Sequence, residues 1–426
     1  MAIYQLLSGV IKARSDYGIA ALPVHFFVAA IVSLAAGLIG ALWEIPQATV
    51  FFYQPGVLAL VHTFTLGWIS AAIMGVMYAY VPALTHRQVR YPRLGIWQFA
   101  TFVVGASGMV SHFALGSWAG VWSSAIVAIV SIALFAINMM GCLWANVGGG
   151  ITESGLFGAL CFLIAAAVLG FALALDKSVG FLSGDVITNL AAHAHLAAIG
   201  WVTLAICAMS YRLLPAFLLP KRPISRAALW QFYLIAIGGG GLATDLLLGW
   251  RGAVWWSAII AIALLSYLAT VAKTMRTRRN EVGWAERHAL GGVFWMLAAV
   301  ALGVVIAGGG AQSEAGARLA SAYGAAGLMG FFGNFIIGMS YRLFPGFVAR
   351  ARKAGDWRAM TVAELAIRGP RWFVFGAYNV GIAAVAAGLL AGSAAIAEAG
   401  AAVMAAGGLI YCGGALRTLG YAYRRG

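Results

Sequence analysis

Twelve apolar runs, each long enough to cross a lipid bilayer, fix what this chain can become. A span needs about 20 apolar residues. Runs of that kind lie near 19–40, 56–84, 95–115, 118–144, 153–175, 186–217, 226–248, 253–272, 288–308, 318–348, 371–391 and 394–415. In hydrocarbon every backbone N–H and C=O must find its partner inside the protein, so runs this long fold as helices. The expectation is an all-α polytopic membrane protein of twelve transmembrane helices, a single membrane domain over residues 1–426. Only 9% of residues are charged, against about 25% in a soluble domain. The first 18 residues, MAIYQLLSGVIKARSDYG, lack a small-residue cleavage site, so the first run is expected to be retained.

The net charge of +15 suggests nucleic acid until its position is read. Loops carrying Lys12 and Arg14, Arg87 to Arg93, Lys221 to Arg226, Lys273 to Arg287, Arg350 to Arg371 and Arg417 to Arg425 all fall on one side of a twelve-span path. They hold 22 of the 27 basic residues. The other side holds Lys177, Arg251 and Arg318, while Arg212 and Arg342 sit near the ends of spans. This is the positive-inside pattern. It predicts a bacterial inner membrane, both termini cytoplasmic, lipid as the main partner and no nucleic acid. Four cysteines (Cys142, Cys161, Cys207, Cys412) lie within apolar runs without CxxC spacing and read as small packing residues.

The chain repeats itself. YVPAL at 80–84, SYRLLPAF at 210–217 and SYRLFPGF at 340–347 close spans two, six and ten. Fifteen residues before the shared prolines stand Gly67, Gly200 and Gly330, and twenty before stand His62, His195 and Ala325. The following spans open alike, with IWQF at 96–99 and LWQF at 229–232. Three pseudo-repeats of four helices follow, at 1–145, 146–280 and 281–426. Repeats in a membrane protein place sites at their interfaces.

Four of the seven histidines share one depth. His62 lies about six residues, or roughly 9 Å at helical rise, from the outer end of span two. His193 and His195 are similarly deep in span six, and His112 closes span three. Ionisable residues in lipid are costly and functional by default, and neutral imidazole is the commonest metal ligand. Residues two apart on an α-helix face nearly opposite ways, so His193 and His195 suit two separate groups better than one ion. Gly67 and Gly200 could leave room for a porphyrin edge, with close helix packing the competing reading. His86 and His288 are assigned to solvated inner loops, and His25 to a carbonyl hydrogen bond. Arg212 and Arg342 are expected to reach the inner headgroups, and Tyr78, Tyr211 and Tyr341 to anchor at the interface.

The twelve spans, the threefold repeat, His62 early in span two and the segment HAHLAAIGW at 193–201 resemble subunit I of the haem–copper oxidase superfamily. The nearest flavour is the cbb3-type oxidase and nitric oxide reductase branch. The resemblance implies His62 and His195 as axial ligands of a low-spin haem and His193 as proximal ligand of a high-spin haem. The pattern departs from the family in two ways. HxH stands on span six rather than ten, where Ala325 takes its place, and the adjacent histidine pair of the copper site is missing. A short NnrS-type relative is the better comparison, although the HAHEM wording of that group is absent.

The expected function is therefore a b-type haem protein, with one or two haems and no copper site, that handles electrons or a diatomic gas, nitric oxide above all. It would draw electrons from quinol or a cytochrome c. His112 and its repeat equivalent Asp245 are the candidate proton-handling residues. The competing reading is a metal- or proton-coupled transporter that uses the same histidines, supported by the glycine runs at 238–241 and 308–310.

Overall fold

In the computed structural model, residues 2–424 are described apart from 222–223, 226–227 and 311–312, with backbone only for 2–19 and 310. The basic side chains of Lys12, Arg14, Arg222, Arg226 and Arg425 lie outside the described residues. Among the described residues twelve helices are long and apolar enough to cross a membrane. Spans one to four are Ala20–Ala48, Pro55–Thr85, Pro92–Ala114 and Trp118–Asn146. Spans five to eight are Ile151–Val179, Val186–Leu218, Leu229–Leu248 and Ala253–Arg276, and spans nine to twelve are Trp284–Gly309, Glu314–Ala354, Arg371–Ala391 and Ala394–Tyr423. Every described regular element is helical.

The helix ends follow local chemistry. Pro55 and Pro92 open spans two and three, where a missing N–H costs nothing. Asp185 caps span six, its carboxylate accepting from the amides of Ile187 and Thr188 at 3.0 and 2.9 Å. Spans five, seven and eleven stop at Gly180, Gly249 and Gly392, all left-handed, a conformation that needs no Cβ.

Sequential helices pack side by side, and span one packs against span twelve, closing a ring around spans two, six and ten. Those three are the most enclosed, with 67%, 61% and 61% of their apolar windows buried and no other span above 50%. Each also breaks its α-helix for a π-helical stretch of eight residues. The stretches are Thr63–Ser70, Leu196–Thr203 and Ala326–Gly333. They begin one residue after His62, His195 and Ala325, in register with the sequence repeat. The third central segment touches both others, and Trp201 Nε1 donates to Ser70 Oγ at 3.0 Å.

The glycines of the repeat sit fifth in each π-helix. A Cβ at Gly67 would stand 2.7 Å from Ser33 Oγ, one at Gly200 2.2 Å from the Phe162 ring, and one at Gly330 2.4 Å from the Trp295 ring. Each glycine thus admits a side chain from the first helix of its own unit. The space beside Gly67 and Gly200 is taken by those side chains.

Some expectations need correction on the basic side. His288 is fully buried within span nine, not solvated in a loop, because the helix begins four residues earlier than the apolar run indicated. Arg342 turns inward and pairs with the buried Glu286 at 2.9 Å. Tyr78 and Tyr211 are buried inside the bundle rather than anchored at an interface. Cys161 is exposed, unlike the other three cysteines.

Candidate functional site

The histidine layer lies where the central spans change from α- to π-helix. His62 closes the α-segment of span two, and His195 that of span six. His193 and His195 serve opposite neighbours. His193 Nδ1 meets the Ala166 carbonyl of span five at 2.9 Å, and its ring lies over Gly170, where a Cβ would approach to 2.6 Å. His195 stacks on Tyr323 of span ten, with ring centroids 5.9 Å apart at 22°.

Tautomer follows from the Nδ1 partners. His62 Nδ1 lies 2.7 Å from the Leu58 carbonyl and His195 Nδ1 2.7 Å from that of Ala191. With His193 held by Ala166, all three rings place Nδ1 against an acceptor-only oxygen, so Nδ1 carries the proton and donates. Nε2 is left with its lone pair. A histidine that ligates a metal typically makes just such a bond, which fixes the ring and raises its basicity. The three residues are half-buried. Among the described residues no hydrogen-bonding group meets Nε2 of His62 or His193, whereas Nε2 of His195 faces the Tyr323 hydroxyl at 3.4 Å.

The surroundings of these rings are apolar. Phe113 stacks on His62 at 4.6 Å, and Trp118 meets Phe113 edge-on at 5.8 Å. These rings belong to a second hydrophobic cluster, with Leu58, Met109, Val121 and Ala174, drawn from spans two to five. Toward the loops Lys177 stands over the Tyr53 and Trp118 rings at 4.8 and 5.6 Å.

The two residues expected to handle protons each make local contacts. His112 Nδ1 donates to the Gly108 carbonyl at 2.8 Å, like the other three, and its ring turns to span four, beside Gly120 and with Ser124 Oγ 3.2 Å from Nδ1. Asp245 is buried at the close of span seven, where its Oδ1 accepts from the Gly252 amide at 2.9 Å and fixes the turn into span eight. Tyr323 escaped the sequence reading although a signal existed. Counting 130 residues on from His193, the spacing between His195 and Ala325, lands on it.

The donor set suits axial ligation better than a bare ion. Among the described residues no three His, Cys, Asp or Glu side chains converge as ligands of one metal. A haem iron asks the protein for only one or two imidazoles in a dry pocket. Three oriented imidazoles and an aromatic wall fit that demand.

No protein-family model matches the chain, and no curated protein matches it. Solved structures do. The chain superposes on a structure described as a heme-copper terminal oxidase dimer with a TM-score of 0.63, over 93% of this chain and 84% of that one, at 13% identity. The fold is that of a haem–copper terminal oxidase. In all, 42 chains of solved structures match. At this identity the likeness establishes the oxidase subunit I architecture, and the chemistry must be argued from the histidines.

Proposed function

We propose that this oxidase-like chain is a b-type haem protein of a bacterial inner membrane, with both termini cytoplasmic and its histidine layer toward the periplasm. His62, His193 and His195 are its iron ligands. The observation that carries the reading is the common tautomer: each Nδ1–H is tied to a main-chain carbonyl, which leaves Nε2 as an oriented lone pair in apolar surroundings. Bound there, haem b would supply electron transfer or the binding of a diatomic gas, with nitric oxide favoured by the family resemblance. The protein orients the ligands and excludes water. An electron donor, quinol or a cytochrome c, is required for turnover.

The resemblance pairs His62 with His195. His195 stacks on Tyr323 of span ten, so Tyr323 must yield before that imidazole takes iron, while Nε2 of His62 and of His193 meets no hydrogen-bonding group among the described residues. The transporter alternative draws less support, since among the described residues no three His, Cys, Asp or Glu side chains converge on one cation.

The test is the absorption spectrum of the purified full-length protein, oxidised and reduced, from haem-replete cells. A Soret band that disappears in both His62→Ala and His193→Ala supports the proposal. A colourless wild-type protein, or a spectrum indifferent to both substitutions, would sink it. Adding carbon monoxide or nitric oxide to the reduced protein then reports whether a coordination position is open.

A further inference from the structure

The axis of the bundle holds a cavity that the histidine layer does not explain. It lies beyond the π-helices, on the basic side of Trp68 and Trp201, and offers about 60 Å³. Its walls come from the three central spans at matching repeat positions. Ile73, Ile206 and Ile336 form one ring of the lining, and Val76, Met209 and Met339 form the next. Phe27 and Phe344, stacked on each other at 4.5 Å, complete it.

Two properties define what such a space can hold. The first is polarity. The hydroxyls in the lining are those of Ser210 and Ser340, and both are engaged. Ser210 Oγ bonds the Cys207 carbonyl and the Tyr267 hydroxyl at 2.8 and 2.9 Å. Ser340 Oγ bonds the Ile337 carbonyl and the Tyr411 hydroxyl, both at 2.6 Å. A buried water needs two to four polar partners, and apolar cavities without them stay dry while admitting xenon or benzene. The second property is size. A volume of about 60 Å³ suits a solute of a few atoms.

We infer that this axial cavity binds a small apolar gas, of the diatomic class to which dioxygen and nitric oxide belong. The site needs no cofactor and does not depend on the haem reading. Where both hold, it stores gas within the protein on the opposite side of Trp68 and Trp201 from the histidines. Those two indoles are nearly inaccessible to solvent, and they separate cavity and histidine layer in depth.

The probe is xenon, followed by dioxygen, on the full chain in lipid nanodiscs with 13C-methyl methionine. Met209 and Met339 report the cavity, and the buried Met296 of span nine, outside the lining, serves as control. The expected result is a saturable shift of the Met209 and Met339 methyls under xenon, and selective line broadening of the same two by paramagnetic dioxygen. Ile206→Phe should fill the space and abolish both effects. Its repeat counterpart Ile336→Phe is the second variant, in case the first does not fold. Shifts that rise without saturation and equally at lipid-facing methyls would overturn the inference, as simple partition into the bilayer. So would lipid-chain cross-peaks to Met209 and Met339, or a xenon response that survives in a folded filled variant. Loss of pigment with the xenon response intact would refute the haem reading alone.

Discussion

Two regions of this bundle bury histidine, and they do so in different ways. In the first two units His62 and His193 are half-buried, with Nδ1 held by a main-chain carbonyl. In the third unit His288 is fully buried. Its Nδ1 lies 3.0 Å from Asn334 Oδ1, and Asn334 and Asn379 exchange amide hydrogen bonds at 3.0 and 3.1 Å. Trp295 Nε1 completes the cluster on Asn379 Oδ1 at 2.9 Å. Every amide hydrogen and oxygen of that pair is used, since Asn334 Nδ2 also bonds Gly330 and Asn379 Nδ2 bonds Phe375. The two amides are thus satisfied and hold the ring rigidly, while His288 Nε2 is buried and meets no hydrogen-bonding partner among the described residues. In the histidine layer His62 and His193 also leave Nε2 open, but their rings are only half-buried and are oriented by main-chain carbonyls rather than by a side-chain network. The same residue type is thus sealed inside an amide network in one unit and held at a half-buried site in the others.

The sharpest way to break that contrast is to exchange alanine for each histidine. His193→Ala should remove the pigment while the protein still folds. His288→Ala should keep the pigment and lower stability by about 2–4 kcal/mol, because a buried ring and its bond to Asn334 are lost together. Spectra and thermal unfolding of the same preparations decide it, and a His288→Ala protein that bleaches would erase the distinction.

The ion pair beside the network sharpens it next. Glu286 is wholly buried and Arg342 is 41% exposed. Arg342→Met leaves a carboxylate buried with only the Gly283 amide for company, which should cost about 3 kcal/mol. Glu286→Gln leaves an arginine that can reach solvent and an amide that still accepts, so about 1 kcal/mol is expected. Equal losses in unfolding experiments would overturn that asymmetry.

Smaller effects belong to the π-helices and the stack on span ten. Gly200→Ala drives a methyl into the Phe162 ring and should destabilise by about 1–3 kcal/mol. Gly420→Ala, where nothing lies within 4 Å, is the control for helix propensity. Tyr323→Phe removes the hydroxyl that faces His195 and preserves the stacked ring. It should leave stability within about 0.5 kcal/mol and move only the spectral features that also respond to His195→Ala. A change in the features tied to His62 would join the two sides of span six into one site.

Much of this was legible in the residues. Apolar run length fixed all twelve spans, and repeat counting placed spans two, six and ten as equivalents, which the ring arrangement makes central. The opposed faces of His193 and His195 followed from α-geometry, because both lie before the π-helix begins. Past that point the same geometry misleads. In a π-helix the amide of residue i+5 bonds back to residue i, so Gly67 and Gly200 sit about one turn beyond their histidines rather than partway round the helix. Hydropathy carries no mark of that change. It was equally silent on Arg342, because a charge near a span end reads the same whether it meets headgroups or a buried carboxylate such as Glu286. The partner of His195 was hidden by side-chain type, since the repeat count leads to a phenol, Tyr323, and not to an imidazole.

The slackened winding in the central helices also decouples their two halves. Deleting one residue from Thr63–Ser70 would let the segment relax to ordinary α-helix with its ends still anchored by neighbouring helices. The end bearing His62 would then swing relative to the end bearing Tyr78 without any change in either sequence. Insertions and deletions inside this stretch are therefore a dial for aiming the imidazoles, and related chains could differ in which gap receives a ligand while sharing every outer contact.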